Sequence, residues 1–221
     1  MGTRITLTAS DDFTLNAYRA EPAGAPRGGV VLFGEVWGLN NWVREVADRW
    51  AAHGYLCIAP AMHDRVQFGY ERDDYDFTPV KEISKTYSQE TALLDMAAAV
   101  KAASEGGKVG VTGYCFGGAN TWRAAAQIGG IAAASGYYGG GVPNYIGLKP
   151  RIPTEMHFGA QDDGIPLEQI EALKRAHPGV PIYVYEAGHG FCNSDRPTRF
   201  DEAACKLASA RTLKFFHEHL G

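Results

Sequence analysis

The 221-residue chain is poor in several features that mark specialised classes of protein. It has only four cysteines, with no CxxC pair among them, so the sequence shows neither a disulfide-dense scaffold nor metal-ligand spacing. Lys and Arg number 21 against 25 Asp and Glu, without a basic run, so we expect no nucleic-acid partner. The sparse cysteines favour a reducing, cytoplasmic location.

Long apolar runs are also missing. The opening residues, MGTRITLTASDDF, lack the apolar run of a secretory signal and are typical of a mature protein. One uncharged segment, 124–148, contains seven glycines together with Gln127, Pro143 and Asn144. Gly and Ala contribute little transfer free energy, so we expect no membrane partner and predict a buried helix end, a core strand and a glycine-rich loop here.

What is present indicates a globular enzyme. Hydrophobic residues make up 45% of the chain and charged residues 21%, which suits a protein with a sizeable core of its own. No linker, internal repeat or low-complexity tract divides the sequence. We therefore expect a single domain over residues 1–221. We expect the protein to be a monomer or a weak dimer.

Strand and helix patterns alternate along the chain. Two alternating segments, 4–8 and 13–19, predict an antiparallel pair, and Asn40 or Asn41 can cap the first helix. Buried strands are predicted at 29–33, 55–59, 108–112, 131–135, 154–158 and 182–185, and helices near 43–51, 88–103, from about 115, 167–176 and 201–220. The segment 62–86 is polar and aromatic and predicts a long loop. This alternation predicts an α/β fold with a mostly parallel central sheet flanked by helices on both faces.

A glycine-flanked cysteine is the strongest chemical signal. Gly113-Tyr114-Cys115-Phe116-Gly117 lies between an apolar strand and a helix, which is the context of a strained nucleophile turn. A helix N-terminus favours the reactive thiolate at such a position. Cys57 and Cys205 fall in strand and helix patterns and are interpreted as inert packing residues. The reactivity of Cys192 depends on its burial.

Two further turns follow predicted strands and supply an acid and a histidine. Asp162 and Asp163 follow the strand at 154–158, and His189 lies in a glycine turn after the strand at 182–185. Nucleophile, acid and histidine in this order form a catalytic triad in hydrolases of this architecture. Spacing alone does not choose between the two aspartates. The six other histidines have no such partners.

The loop after the strand at 29–33 is a candidate oxyanion hole. In hydrolases of this architecture, this loop donates one backbone N–H to the oxyanion and the residue after the nucleophile donates another. The expected donors are therefore the N–H groups of Val36 and Phe116. Glu35 in the same loop is either a solvated acid or a proton partner of the Cys115 thiol. The aromatic residues Trp37 and Tyr137, with Tyr138, could wall a small apolar pocket, although aromatics more often pack the core.

Together these motifs resemble the dienelactone hydrolase family over about residues 5 to 220. The shared set comprises Gly34-Glu35-Val36, Gly38-Leu39-Asn40, Arg65, Gly113-Tyr114-Cys115-Phe116-Gly117-Gly118, Gln161-Asp162 with Pro166, and Gly188-His189-Gly190-Phe191. The resemblance implies an α/β-hydrolase fold, cleavage of a lactone or enol ester, and Asp162 as the acid, four residues before the proline. It implies no metal and no organic cofactor.

The resemblance also implies how the thiol is activated. A glutamate at the position of Glu35 contacts the resting thiol, and a substrate carboxylate that binds at the position of Arg65 frees this glutamate to deprotonate Cys115. Family members active on dienelactones have a second arginine where this chain has Asn193, and Arg196 is nearby but out of register. The loss of a bidentate arginine contact could weaken or redirect the recognition of a carboxylate.

We therefore expect a hydrolase that opens small, anionic, unsaturated lactones or enol esters through a cysteinyl intermediate. Cys115 is the expected nucleophile, His189 the base and then the acid, and Asp162 the residue that orients His189. One alternative is a general thiol carboxylesterase that acts on other small esters. Another is a binding protein on a hydrolase scaffold, against which the ordered triad argues.

Overall fold

The computed structural model describes all 221 residues, and its centre is an eight-stranded sheet. The strands are β1 (Thr3–Thr8), β2 (Thr14–Ala20), β3 (Gly29–Phe33), β4 (Leu56–Pro60), β5 (Val109–Tyr114), β6 (Ile131–Tyr137), β7 (Thr154–Gly159) and β8 (Ile182–Tyr185). Their order across the sheet is β1-β2-β4-β3-β5-β6-β7-β8. β2 runs antiparallel to both β1 and β4, and all other neighbours are parallel, which confirms the predicted antiparallel start and mostly parallel sheet.

Helices cover both faces of this sheet. They are α1 (Asn41–Ala52), α2 (Thr78–Thr86), α3 (Gln89–Ala103), α4 (Phe116–Gln127), α5 (Leu167–Ala176) and α6 (Glu202–Leu220). Successive residues of a strand face opposite sides of the sheet. Val30 accordingly lies in the core beneath α1 and α6, whereas Val31 lies in the core beneath α3 and α4. The all-apolar β3 is therefore buried on both faces, as the sequence predicts for a central parallel strand.

Side-chain caps fix where two of the helices begin. The Asn40 side chain accepts a hydrogen bond from Val43 N at 3.2 Å, so Asn40 rather than Asn41 caps α1. Asp201 accepts one from Ala204 N at 2.9 Å and starts α6. Each cap satisfies a backbone donor that the first turn of a helix otherwise leaves unpaired.

The prediction of a continuous loop over 62–86 is wrong in its last third. Residues 78–86 form α2, with a proline in its first turn where the missing N–H costs no helical hydrogen bond. Its inward face consists of only two buried residues, Val80 and Ile83. Two apolar positions in nine are too few to produce a recognisable helical period among so many polar neighbours.

The uncharged segment 124–148 forms the end of α4, strand β6 and a short 3₁₀ turn at Val142–Tyr145, as predicted. No helix combines the length and the apolar character needed to cross a membrane. At the carboxyl ends of the parallel strands, the loops after β3, β5, β7 and β8 carry the motifs singled out in the sequence. This edge of the sheet is where open α/β folds place their ligand chemistry.

Candidate active site

Cys115 occupies a strained turn between β5 and α4. Its φ is 55° and its ψ is −113°, a conformation that residues with a Cβ rarely adopt. Such backbone strain costs about 1–3 kcal/mol and persists only where the surrounding structure enforces it. Here Cys115 N donates a 3.0 Å hydrogen bond to Tyr137 O, which fixes the turn to β6. The thiol is partly exposed and is not in a disulfide.

The two glycines of the motif are required by close backbone packing. A Cβ at Gly113 would overlap the carbonyl oxygen of Gly117, and a Cβ at Gly117 would overlap that of Phe33. The start of α4 therefore packs directly against the ends of β3 and β5. The glycine pattern around Cys115 follows from this packing, and it leaves the thiol at the top of the sheet.

The loops after β7 and β8 bring an aspartate and a histidine together. His189 Nδ1 and Asp162 Oδ2 are 2.7 Å apart, and the Asp162 side chain is fully buried. Asp162 Oδ1 accepts a second hydrogen bond, at 2.8 Å, from Gly164 N. The neighbouring Asp163 is exposed. Because Asp162 occupies Nδ1, the Nε2 atom of His189 is the one left for Cys115.

Two neighbouring side chains, Asp162 and Cys115, raise the pKa of His189. Burial by itself lowers the pKa of His189, but hydrogen bonds to Asp162 and to Cys115, with the charges of both groups, raise it to about 10. The arrangement therefore favours the protonated, imidazolium form of His189.

This charge state predicts a titration. We expect nuclear magnetic resonance of the His189 ring to show a midpoint near pH 10, and Cys115→Ala to lower that midpoint because one partner is lost. The folded-state pKa lies above the unfolded one, so the stability contributed by His189 is complete below about pH 6.5 and is lost as the pH rises toward 10. A resonance that vanishes in His189→Asn assigns the signal, and a wild-type midpoint below pH 7 would contradict the ion pair.

Two backbone N–H groups, one in the turn after β3 and one at the start of α4, have no acceptor in the protein's secondary structure. Phe116 is the first residue of α4, so its N–H has no partner within the helix. Val36 lies in the turn after β3, and its N–H donates to no other backbone group. Two such donors can stabilise an oxyanion.

Glu35 is a buried carboxylate held by neutral donors. Its side chain accepts hydrogen bonds from Trp37 Nε1 at 3.1 Å, from Tyr138 Oη at 3.1 Å and from Asn193 Nδ2 at 2.9 Å. Burial raises the pKa of Glu35, while the bond from Asn193 and the charge of His189 lower it. None of its hydrogen bonds goes to Cys115, so the resting contact with the thiol implied by the resemblance is absent.

Tyr138, rather than Tyr137, faces the triad. The Tyr138 ring lies 5.1 Å from that of His189, and its hydroxyl reaches Glu35. Adjacent residues at the end of a strand point to opposite faces, so Tyr137 turns away and its hydroxyl bonds Thr212 at 2.6 Å. Tyr137, predicted as a possible pocket residue, lines a cavity between α1 and α6 instead of facing His189. Trp37, the other predicted pocket residue, donates its indole N–H to Glu35.

Similarity to known proteins agrees with this geometry. The sequence model of the dienelactone hydrolase family matches residues 15–220. The chain belongs to the dienelactone hydrolase family. It is 30% identical to the carboxymethylenebutenolidase of Pseudomonas putida, over 96% of this chain and 94% of that protein, and 28% identical to carboxymethylenebutenolidase 1 of Cupriavidus pinatubonensis, over 95% and 94%.

The fold is shared more widely than the sequence. A dienelactone hydrolase-like promiscuous phosphotriesterase from metagenomic libraries superposes with a TM-score of 0.80 at 22% identity, covering 100% of this chain and 99% of the other. At that identity the match shows the α/β-hydrolase fold alone. Membership of the dienelactone hydrolase family makes this protein a carboxylic ester hydrolase, which confirms the expected enzyme class.

In this dienelactone hydrolase family member, Arg65 is paired with carboxylates of the protein. The Arg65 guanidinium forms ion pairs with Asp95 and Asp11, both at 2.8 Å, and lies 4.2 Å above the Phe13 ring. Hydrogen bonds to Asp95 and then Asp11 raise the pKa of Arg65. All three guanidinium nitrogens bond to these carboxylates, so the guanidinium that was predicted to bind a substrate carboxylate is occupied by the protein's own acids in this structure.

Arg196 is the arginine that the fold brings to the site. Its guanidinium carbon lies 5.6 Å from the centre of the Trp37 ring and 5.4 Å from that of the Tyr75 ring. The Nη1 atom lies close to the backbone of Gly190, at 3.9 Å from the place that a Cβ on this glycine would occupy. Its positive charge lowers the pKa of Glu35, against the larger effect of burial. Arg196 forms no ion pair, and stacking on two rings holds it in place.

The cysteines also need a correction. Cys192 and Cys205 form a disulfide with a Cα–Cα distance of 4.8 Å, so Cys205 is not an inert packing residue and Cys192 is not a free thiol. Because two of the four cysteines form a disulfide, the low number of cysteines no longer favours a reducing compartment. The cytoplasmic location stays a prediction. His, Cys, Asp and Glu form no group of three or more that could hold a metal ion.

Proposed function

We propose that this dienelactone hydrolase family member opens small unsaturated lactones or enol esters with Cys115 as a covalent nucleophile. The observation that carries the proposal is the strained, partly exposed Cys115 acting with Asp162 on His189, with free N–H groups beside it. No other cysteine suits this role, since Cys57 is buried and the remaining two are paired. A buried thiol has no access to substrate.

The first half-reaction forms a thioester. The Cys115 thiolate bonds to the carbonyl carbon, and the electron pair of the C=O bond moves to oxygen, where the N–H groups of Val36 and Phe116 stabilise it. Collapse of this intermediate breaks the bond to the ring oxygen. His189 Nε2 gives its proton to that oxygen, and an enol released in this way tautomerises to a ketone.

The second half-reaction releases the acid. A water molecule gives a proton to His189 Nε2 and attacks the thioester carbonyl. The tetrahedral intermediate expels the Cys115 thiolate, and the carboxylate product leaves. Asp162 keeps Nδ1 protonated and supports the imidazolium in both halves. Each proton taken up by His189 is thus used in the next turnover.

Glu35 positions the site in this proposal. Its three donors, from Trp37, Tyr138 and Asn193, satisfy the carboxylate and tie the loops after β3, β6 and β8 together. Asn193 is fully buried where family members active on dienelactones have an arginine. A neutral amide at this position holds Glu35 without adding a charge that could reach the substrate.

An anionic substrate is held by Arg196. Its guanidinium has no carboxylate partner in the protein and stands beside the turn that carries His189. A substrate carboxylate within reach of this guanidinium can accept a charge-assisted hydrogen bond from it. Arg196 thus takes the role that the resemblance gave to Arg65 and to the position of Asn193.

Substrate charge gives a direct test. With a carboxylated dienelactone, we expect Arg196→Gln to lower kcat/KM about 10- to 100-fold, because a hydrogen bond to a charged group is lost. With the neutral methyl ester of the same lactone, the change should stay within about twofold. Arg199→Gln, in the same loop and exposed, is the matched control and should change neither value.

One observation favours a second candidate, a thiol carboxylesterase that acts on neutral esters. The guanidinium of Arg65 is fully engaged by Asp11 and Asp95. Because Asn193 stands where the family has its second arginine, neither of the two expected positions offers a free cation to a substrate carboxylate. If wild type hydrolyses the methyl ester as fast as the acid, and Arg196→Gln affects both equally, this candidate replaces the lactone hydrolase.

A further inference from the structure

A second concave site lies outside the triad, between α1 and α6. This α1–α6 groove encloses about 400 Å³ and is lined chiefly by Trp42, Trp50, Tyr114 and Tyr137, with Arg49 and Lys206 at its rim. Neither Cys115 nor His189 lines it, nor do Asp162 and Glu35. The groove belongs to the other face of the strand ends, because the side chain of Tyr114 points away from that of Cys115.

The floor of the groove is a set of aromatic rings in contact with one another. The rings of Trp42 and Tyr114 are 5.0 Å apart in an edge-to-face arrangement, and those of Tyr114 and Tyr137 are 4.6 Å apart. Packing against neighbouring rings fixes these side chains, so the surface exists before a ligand arrives. Preformed, mostly apolar concavities of this size are typical of small-molecule sites, and an aromatic ring suits this floor.

The charged and polar groups around the floor favour a ligand that carries a carboxylate. The exposed side chains of Arg49 and Lys206 take part in no ion pair, and Glu202 is the single carboxylate among the lining residues. The Tyr114 hydroxyl remains protonated, because burial raises the pKa of Tyr114 to about 12, and it is available as a donor near Arg49. His53 is the remaining titratable group at the rim.

We propose that the α1–α6 groove binds an aromatic carboxylate at a site separate from the catalytic one. The ring lies on the tryptophan and tyrosine floor, and the carboxylate reaches Arg49 and Lys206. A small molecule fits better than a second copy of the chain, because a concavity of about 400 Å³ has the size of a small-molecule site. The assignment does not depend on the proposed chemistry at Cys115.

Calorimetric titration of the full-length protein with 2-naphthoate tests the site, with 2-naphthalenemethanol as the neutral probe. Arg49→Gln with Lys206→Gln should weaken naphthoate binding at least tenfold and change binding of the alcohol less than twofold. Ser209→Trp, at the rim, should block both probes. Lys214→Gln, exposed on α6 outside the groove, is the matched control and should bind as wild type does. Ester turnover that stays at the wild-type level shows that the groove variants fold.

Alkylation of Cys115 with iodoacetamide separates the two sites. Naphthoate binding should persist after alkylation if the ligand occupies the groove. Binding that alkylation abolishes while the groove variants leave it unchanged would place the probe at the triad and overturn the proposal. Absence of binding at millimolar naphthoate would overturn it as well. So would a wild-type dimer that Ser209→Trp dissociates, because a second copy would then be the occupant.

Discussion

Replacing Cys115 with alanine is expected to lower kcat on the order of 10⁵-fold. The nucleophile, base and oxyanion donors act as a unit, and removing a triad nucleophile leaves only the contribution of binding and the oxyanion hole. Steady-state turnover of a small unsaturated lactone measures the loss. The protein should fold normally, because the thiol is partly exposed and alanine keeps the backbone hydrogen bond to Tyr137 O that holds the turn.

Cys57→Ala is the matched control for this experiment. Cys57 is the other free thiol and lies fully buried in β4, where it has no route to substrate. Its loss should reduce stability modestly through a small cavity and leave kcat near the wild-type value. Full turnover by Cys115→Ala would show that another group performs the chemistry.

Replacing Asp162 with asparagine is expected to lower kcat roughly 10⁴-fold. The amide cannot fix the tautomer of His189 or support the imidazolium as the carboxylate does. The pKa of His189 should fall at the same time, because the hydrogen bond that His189 Nδ1 donates to Asp162 is one of the interactions that raise it. A pH profile of kcat/KM should therefore change together with the rate, which a merely structural defect would not produce.

The adjacent Asp163 makes this test selective. Asp163→Asn makes the same chemical change one residue along the chain, but at an exposed side chain without contact to His189. It should leave kcat and the pH profile unchanged. Equal losses in the two variants would mean that the turn as a whole, rather than the hydrogen bond to His189, matters for activity.

Most of the architecture was predictable from local patterns. The apolar strands, the cap of α1 and the glycine turn at Cys115 each carry a signal within a few residues. α2 was missed because only Val80 and Ile83 mark its buried face. The order of nucleophile, acid and histidine was also readable, and the fold brings these residues together at the carboxyl ends of β5, β7 and β8.

Contacts between distant segments were not predictable. Arg65 pairs with Asp95, 30 positions away in the sequence, and with Asp11, 54 positions away, and the residues around Arg65 do not indicate either partner. The bond of Cys192 to Cys205 likewise depends on where the loop after β8 meets α6. The opposite directions of Tyr137 and Tyr138 follow from strand alternation, but which of them faces the triad depends on the register of β6.

These long-range contacts change the substrate specificity that we expect of the site. A chain that pairs Arg65 elsewhere and buries Asn193 against Glu35 has a site with one free cation, Arg196. A single arginine can hold a carboxylate, but it constrains the orientation less than two would. The range of esters accepted should therefore be broader than a two-arginine site permits, with the acid still preferred.

The covalent intermediate is tested most directly by mass spectrometry after a rapid acid quench of wild-type enzyme turning over a lactone. Ring opening leaves the departing oxygen tethered to the acyl group, so the trapped enzyme should gain the full mass of the lactone. Peptide mapping should place that mass on the peptide containing Cys115, and none should form in Cys115→Ala. A turning-over enzyme that carries no adduct, or carries it on another residue, would contradict the cysteinyl mechanism.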